Sequence, residues 1–164
     1  MKNNLLILGM GQYGNIAKDI AEVSGCFDKI DFLDDNNDSA IGKIYDLENF
    51  SHNYKWAIVA IGNASKRKEL LDLLRKKGFK IATLIHPSAI ISQYSKVNDG
   101  CIIEPYAIVN PECVIGKGTY ICAGSIVNHN SVIGDFCHLD VGCIVSSNTK
   151  VQDNTKIECG VIYK

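Results

Sequence analysis

Residues 127–139 read Val127-Asn128-His129-Asn130-Ser131-Val132-Ile133-Gly134-Asp135-Phe136-Cys137-His138-Leu139. Val127, Ile133 and Leu139 stand six residues apart, and the spacing runs on in both directions. Before them come Ile85, Ile91, Val97, Ile103, Val109, Ile115 and Ile121; after them Val145, Val151, Ile157 and Tyr163. Four residues beyond each aliphatic position lies a small side chain: Ala89, Ser95, Cys101, Ala107, Cys113, Thr119, Ser125, Ser131, Cys137, Cys143, Thr149 and Thr155. A period of six fits neither an α-helix nor a heptad coiled coil. It fits short strands joined by tight turns, with one branched and one small residue turned inward per hexapeptide. A single hexapeptide cannot bury its inner face, whereas stacked coils share one continuous core. Residues 85–164 are therefore expected to form an all-β parallel β-helix.

Composition excludes several classes. The chain has 164 residues and a net charge of −1, with its charges mixed, so nothing argues for nucleic acid or a membrane surface as partner. The apolar run Leu5–Leu8 is too short for a signal-peptide core or a membrane span, and a cytoplasmic protein is expected. Seven cysteines without a C-x-x-C pair suit a reducing compartment. Cys101, Cys113, Cys137 and Cys143 fall on the small inward register and read as compact apolar fillers. Cys26, Cys122 and Cys159 lie off it and have no assigned role.

The first 84 residues alternate strand and helix signals. Asn4–Leu8 reads as a buried strand, followed at once by Gly9-Met10-Gly11-Gln12-Tyr13-Gly14 and a helical stretch whose Ile16, Ile20 and Val23 share a face, with Gly25 as the stop. Strand, glycine turn and helix is the setting in which backbone N–H groups approach an anion at a helix N-terminus. The glycines could equally serve only a tight turn. A second strand, Lys29–Leu33, ends in Asp34-Asp35-Asn36, about where a Rossmann fold carries a ribose-binding acid. The segment is too short for two mononucleotide halves, so half a Rossmann fold is expected, enough for a nucleoside diphosphate group. Trp56–Ile61 is a third strand, ending at Gly62-Asn63. A helix over 65–77 follows, with Leu70, Leu71, Leu73 and Leu74 as its apolar face and Gly78 at its end. A strand over 81–84 leads through His86-Pro87 into the first hexapeptide. His86 reads as a structural hydrogen-bonding residue and His52 as solvated.

The order of these parts resembles the sialic acid O-acetyltransferase family of sugar O- and N-acyltransferases, which includes the N-acetyltransferases of UDP-4-amino sugars. Gly9–Gly14, Phe32–Asn36, Ala60–Asn63, Ile85–Ala89 and Val127–His138 carry the likeness. The resemblance implies a left-handed β-helix with three hexapeptides per triangular coil, in a homotrimer that binds acetyl-CoA between neighbouring β-helices. It implies that Gly9, Gly11, Gln12, Tyr13, Gly14, Asp34, Asp35, Gly62 and Asn63 hold a nucleotide-linked amino sugar, although Gln12-Tyr13 stands where the family usually reads Gly-His. It implies His129 as the general base for direct attack on the thioester, since imidazole titrates near neutral pH. His138 would contact the acetyl end of the cofactor, and the backbone N–H of Ser147, one coil beyond the base, would meet the oxyanion. The family commonly sets a carboxylate beside the base; here Asn128 and Asn130 flank it, and Asp135 or an acid from another subunit would have to substitute. Cys122 stands where asparagine is frequent. The repeats amount to about four and a half coils, short of the usual C-terminal ones. These departures motivate a second reading, a nucleotide-sugar-binding or scaffolding homologue without catalysis. A metal enzyme like the γ-class carbonic anhydrases needs three histidine ligands, and the coils hold only His129 and His138, so no metal is expected.

Overall fold

The computed structural model describes residues 3–164. Its contacts divide the chain into two units, Met1–Ala82 and Thr83–Lys164. The first contains β1 (Asn4–Leu8), α1 (Gln12–Ser24), β2 (Lys29–Leu33), a 3-10 helix (Ile44–Phe50), β3 (Trp56–Val59), α2 (Ala64–Lys76) and β4 (Lys80–Ile81). The strands form one parallel sheet in the order β2-β1-β3-β4. Leu5, Leu6, Ile7 and Leu8 are fully buried, which explains why β1 is an unbroken apolar run: a parallel strand inside the sheet is covered on both faces.

One face and two boundaries differ from the expectations. Val23 is 55% exposed, because the buried face of α1 is Gly14, Ala17, Ile20 and Ala21, and at about 100° per residue Val23 falls on its far side. β3 stops at Val59, since the carbonyls of Ile61 and Gly62 turn to accept hydrogen bonds from Nη1 of the fully buried Arg67, at 2.9 and 3.0 Å. The strand expected over 81–84 is two strands: β4 pairs with β3, and Leu84–Ile85 pairs with Ile102–Ile103.

The second unit consists of fourteen two-residue strands. They stack into three parallel sheets whose partners are eighteen residues apart, with strands starting at 84, 102, 120, 138 and 156, at 90, 108, 126, 144 and 162, and at 96, 114, 132 and 150. Each coil thus visits three sheets and returns one step along the stack. The aliphatic register from Ile103 to Ile157 is buried throughout, at 2% exposure or less. Ile85 is 36% exposed, as it lies in the first coil, which is covered by another coil on one side only.

Two features of the coils go beyond the repeat. The thiols of the small register act as more than fillers. Cys101 Sγ donates to the carbonyl of Gly116, Cys113 Sγ to that of Asn128 and Cys137 Sγ to that of Gln152, at 3.0–3.1 Å. Thr119, Ser125 and Ser131 make the same bond through their hydroxyls, to Gly134, Asp140 and Ser146, at 2.8–2.9 Å. Each of these side chains closes a turn fifteen residues on, which is why Cys, Ser and Thr interchange along the register. From Cys101 onward the residue just before each small position adopts left-handed backbone. Positive φ recurs every six residues from Gly100 to Gly160, including Tyr106, Glu112, Asn130, Phe136, Asn148 and Asn154 among residues other than glycine. A turn with this conformation at its third position favours proline one place earlier, and Pro105 and Pro111 stand there.

Candidate functional site

In the first unit the chain order and the strand order reverse between β1 and β3, and ligands of open parallel sheets bind beyond the carboxyl ends of the strands at such a point. A cavity of about 400 Å³ lies there. Of the residues read as nucleotide-binding, Gly9, Gly11, Gln12, Tyr13, Asp34, Asp35 and Gly62 line it. Gly14 does not; it is buried, and a Cβ on it would come within 2.2 Å of the Gly9 carbonyl oxygen, so it lets α1 start directly against the turn. Asn63 is the N-cap of α2, its Oδ1 accepting from Lys66 N at 2.8 Å. Both helices thus begin at this edge of the sheet, and their N-terminal dipoles favour an anion.

The acids are already engaged. Asp34 Oδ2 accepts from Met10 N at 2.7 Å and its Oδ1 from Asn36 N at 2.8 Å, while Asp35 Oδ1 accepts from Ile44 N at 2.7 Å. They hold the glycine loop and the following segment, with lone pairs left over for a ligand. Sequence reading missed Lys66, which lines the same cavity and pairs with Glu69 at 2.9 Å, and Arg67, which fixes the β3–α2 turn. Position was the available signal: a lysine in the first turn of a helix that starts beside a candidate phosphate loop. A larger cavity, of about 820 Å³, borders Asn4, Lys29, His52, Tyr54 and Lys77. It opens at the amino ends of β1 and β2 and at the C-terminal end of α2, where the helix dipole opposes an anion.

In the second unit His129 sits at an exposed turn between the strands at 126 and 132. Its backbone N–H donates to Asn128 Oδ1 at 2.9 Å, and its Nδ1 lies 3.2 Å from Asn130 Nδ2. Asn130 is left-handed, with φ 57°, which asparagine tolerates. With Nδ2 facing the ring, Nδ1 accepts and Nε2 keeps the proton; a half-turn of the amide reverses both. Asp135 does not serve this ring: its Oδ1 accepts from Lys117 N at 2.9 Å and its Oδ2 lies 3.4 Å from Lys117 Nζ. One coil on, Asn148 N donates to the His129 carbonyl at 3.0 Å, which stacks Ser147 over His129. At the equivalent turns the N–H groups of His129 and Val141 are capped by the preceding side chain, Asn128 or Asp140. Ser147 follows a serine, and its N–H has no acceptor among the described residues.

His138 belongs to a different corner. It is buried, its ring meets Tyr120 edge-on with centroids 5.9 Å apart, and its Nε2 is 3.3 Å from Cys122 Sγ. Burial, together with the nearby Glu104 and Asp140 carboxylates, pushes the Cys122 thiol far up from its ordinary value. His86 makes a local turn, its Nδ1 2.8 Å from Ser88 Oγ.

Residues 4–74 match the family described as PglD N-terminal domain, and residues 94–129 match Bacterial transferase hexapeptide (six repeats). No curated protein matches the sequence. Among solved structures, the acetyltransferase domain of PglB from Neisseria gonorrhoeae is similar over 99% of this chain and 91% of that one, with TM-score 0.88 and 23% identity. The same domain in complex with acetyl coenzyme A gives TM-score 0.88 and 22% identity, over 99% of this chain and 93% of that one. A mutant GDP-perosamine N-acetyltransferase from Caulobacter crescentus, in complex with CoA and GDP-perosamine, gives TM-score 0.89 and 21% identity, over 99% and 89%. These likenesses establish the fold: a Rossmann-like half followed by a left-handed parallel β-helix, the fold of solved acetyltransferases.

Proposed function

We propose that the protein is an acyltransferase that moves the acetyl group of acetyl-CoA to an amino group, in preference to a hydroxyl, of a nucleotide-linked sugar. This places it in the wider sialic acid O-acetyltransferase family. The observation that carries the reading is an exposed imidazole, His129, with the unclaimed Ser147 N–H stacked one coil beyond it. A base and an oxyanion donor on adjacent coils are what acyl transfer requires. The acceptor amine attacks the thioester carbonyl and gives its proton to His129 Nε2, whose lone pair is free once the Asn130 amide turns Oδ1 to the ring and holds the resident proton on Nδ1. The oxyanion takes a hydrogen bond from Ser147 N–H; collapse expels the CoA thiolate, which recovers the proton from the imidazolium. His138 lies at the acetyl end of the cofactor. Cys122, the thiol beside it, is 3% exposed and strongly biased to the protonated form, so it is a poor nucleophile for a covalent route.

The cavity beyond β1 and β3 takes the nucleotide, its diphosphate on the Gly9–Gly14 turn and its charge balanced by Lys66. The solved relatives' acetyl-CoA and GDP-perosamine support the two substrate classes. An apolar column supports a homotrimer: Ile90, Ile108, Ile126, Ile144 and Ile162 stack outward on one sheet, and the end members are 63% and 58% exposed. Seven free thiols suit the cytoplasm.

The test is thiol release from acetyl-CoA with a panel of UDP-, GDP- and CMP-linked amino sugars. Release that needs a particular sugar and drops by about a hundredfold or more in His129→Ala, with nucleotide-sugar affinity unchanged by calorimetry, is expected. Equal loss of binding and turnover sinks the role of His129. The orientation of the Asn130 amide nitrogen toward Nδ1 favours the second reading, a binding module without catalysis. Nucleotide-sugar binding without thiol release from any sugar would establish that instead.

A further inference from the structure

Two residues after each inward aliphatic side chain the coil turns a corner, and the N–H there lies outside the ladder of bonds between coils. From residue 105 to residue 141 this N–H is removed or taken at seven turns in succession. Pro105 and Pro111 have none. Those of Lys117, Ala123, His129, Asp135 and Val141 donate to side-chain oxygens of Asp135, Glu104, Asn128, Asp153 and Asp140, at 2.8–3.1 Å. Ser147 ends the run. Its N–H has no acceptor among the described residues, and it is the one stacked a coil beyond His129. The two turns after it, at Asp153 and Cys159, follow strands that end their stacks. We propose that Ser146 is a positioning residue that keeps the Ser147 N–H open to the oxygen of the reacting thioester, because its side chain is too short to cap that N–H. The proposal rests on the transferase reading and adds a residue to it.

The stacking makes the comparison direct. Strands 126–127 and 144–145 pair in register, so Asn128 and Ser146 are equivalent positions on successive coils, as are His129 and Ser147. Asn128 Oδ1 receives two donors, His129 N at 2.9 Å and Asn110 Nδ2 at 3.3 Å, which fixes the amide with its oxygen toward the N–H it caps. A serine carries its oxygen on Cβ, one bond nearer the backbone, and cannot close the same ring. The main chain at 146 is held from both sides: its N–H donates to the Tyr163 carbonyl at 2.9 Å, and its carbonyl accepts from Ser131 Oγ at 2.9 Å. The coils therefore set where the Ser147 N–H lies, and the side chain at 146 decides what else reaches it. A carboxamide there would present its oxygen to the N–H that the developing oxyanion needs, and would repel that oxyanion besides.

The test supplies a cap. Ser146→Asn continues the amide ladder of Asn110 and Asn128, and is expected to slow hydrogen exchange of the Ser147 amide by about tenfold or more, read by NMR on the full chain. In the thiol-release assay it is expected to lower kcat by about a hundredfold, with the nucleotide-sugar KM changed by about twofold or less. Ser146→Leu brings nearly the same shape without an oxygen. It is expected to leave the Ser147 amide fast and to be about tenfold or more faster in kcat than Ser146→Asn. Equal losses in the two variants would mean that bulk at the corner stops transfer, and would overturn the proposal. So would a Ser146→Asn chain that turns over at the native rate with its Ser147 amide slowed. If Ser146→Asn does not fold, or leaves the amide fast, Ser146→Asp copies the cap of Asp140 on Val141 and decides by the same two measurements. An amide still fast in Ser146→Asp then overturns the proposal. A native chain that releases no thiol with any sugar removes the transferase reading and this proposal together, whereas each outcome above removes the proposal alone.

Discussion

The chemistry of the proposed base turns on one amide. A carboxylate beside His129 would hold Nδ1–H and leave the Nε2 lone pair free, and Asn130 does this only with Oδ1 toward the ring. Asn130→Asp commits the tautomer and keeps a residue type that tolerates φ near 57°. The expected result is a rise in kcat on the order of threefold to tenfold, with the sugar KM little changed. No change in kcat would mean that the amide already presents its oxygen. Ser147 offers a sharper test, because its corner can accept proline as the corners of Pro105 and Pro111 do. Ser147→Pro deletes the N–H while keeping the turn. It is expected to lower kcat by about a hundredfold to a thousandfold with melting temperature preserved; a fully active, folded variant would remove the N–H from the mechanism.

At the scale of the element, the inward aliphatic row was legible because core packing imposes one branched residue at every coil face. The nucleotide cavity was legible through Gly9–Gly14 and Asp34-Asp35, since glycine turns and strand-end acids leave local marks. Arg67 left none, because its partners are carbonyls that exist in every sequence. The left-handed row was half written, as glycine and asparagine recur in it but Tyr106, Glu112 and Phe136 hide the period. Phe136 is held there by packing: its ring fills the space where a Cβ on Gly118 would lie, at 2.6 Å. The thiol bonds of the small register carry their own test. Cys137→Ser retains a donor to the Gln152 carbonyl and is expected to leave stability nearly unchanged, whereas Cys137→Ala loses about 1 kcal/mol. Equal melting temperatures for the two would show that the thiol serves as filler alone.

For the whole molecule, the proposed cofactor groove exists only if copies of the chain associate. The outward isoleucine column is the surface that the homotrimer reading requires to be covered. Ile126→Glu sets a charge at the middle of that column, between Ile108 and Ile144. Sedimentation is expected to show monomers, with acetyl transfer lost and nucleotide-sugar binding retained in the first unit. A monomeric native chain that transfers acetyl groups at full rate would end the trimer proposal. The register of eighteen residues also governs how this half of the chain can change in length. Inserting six residues between His129 and Ser147 would keep every aliphatic side chain facing inward, yet would carry all that follows to the next face of the prism. Inserting eighteen would restore the faces but add a whole coil between the imidazole and the N–H. The core therefore tolerates hexapeptide steps that the active corner does not, so descendants of this sequence can gain or lose coils only outside the interval from 129 to 147 without losing the chemistry.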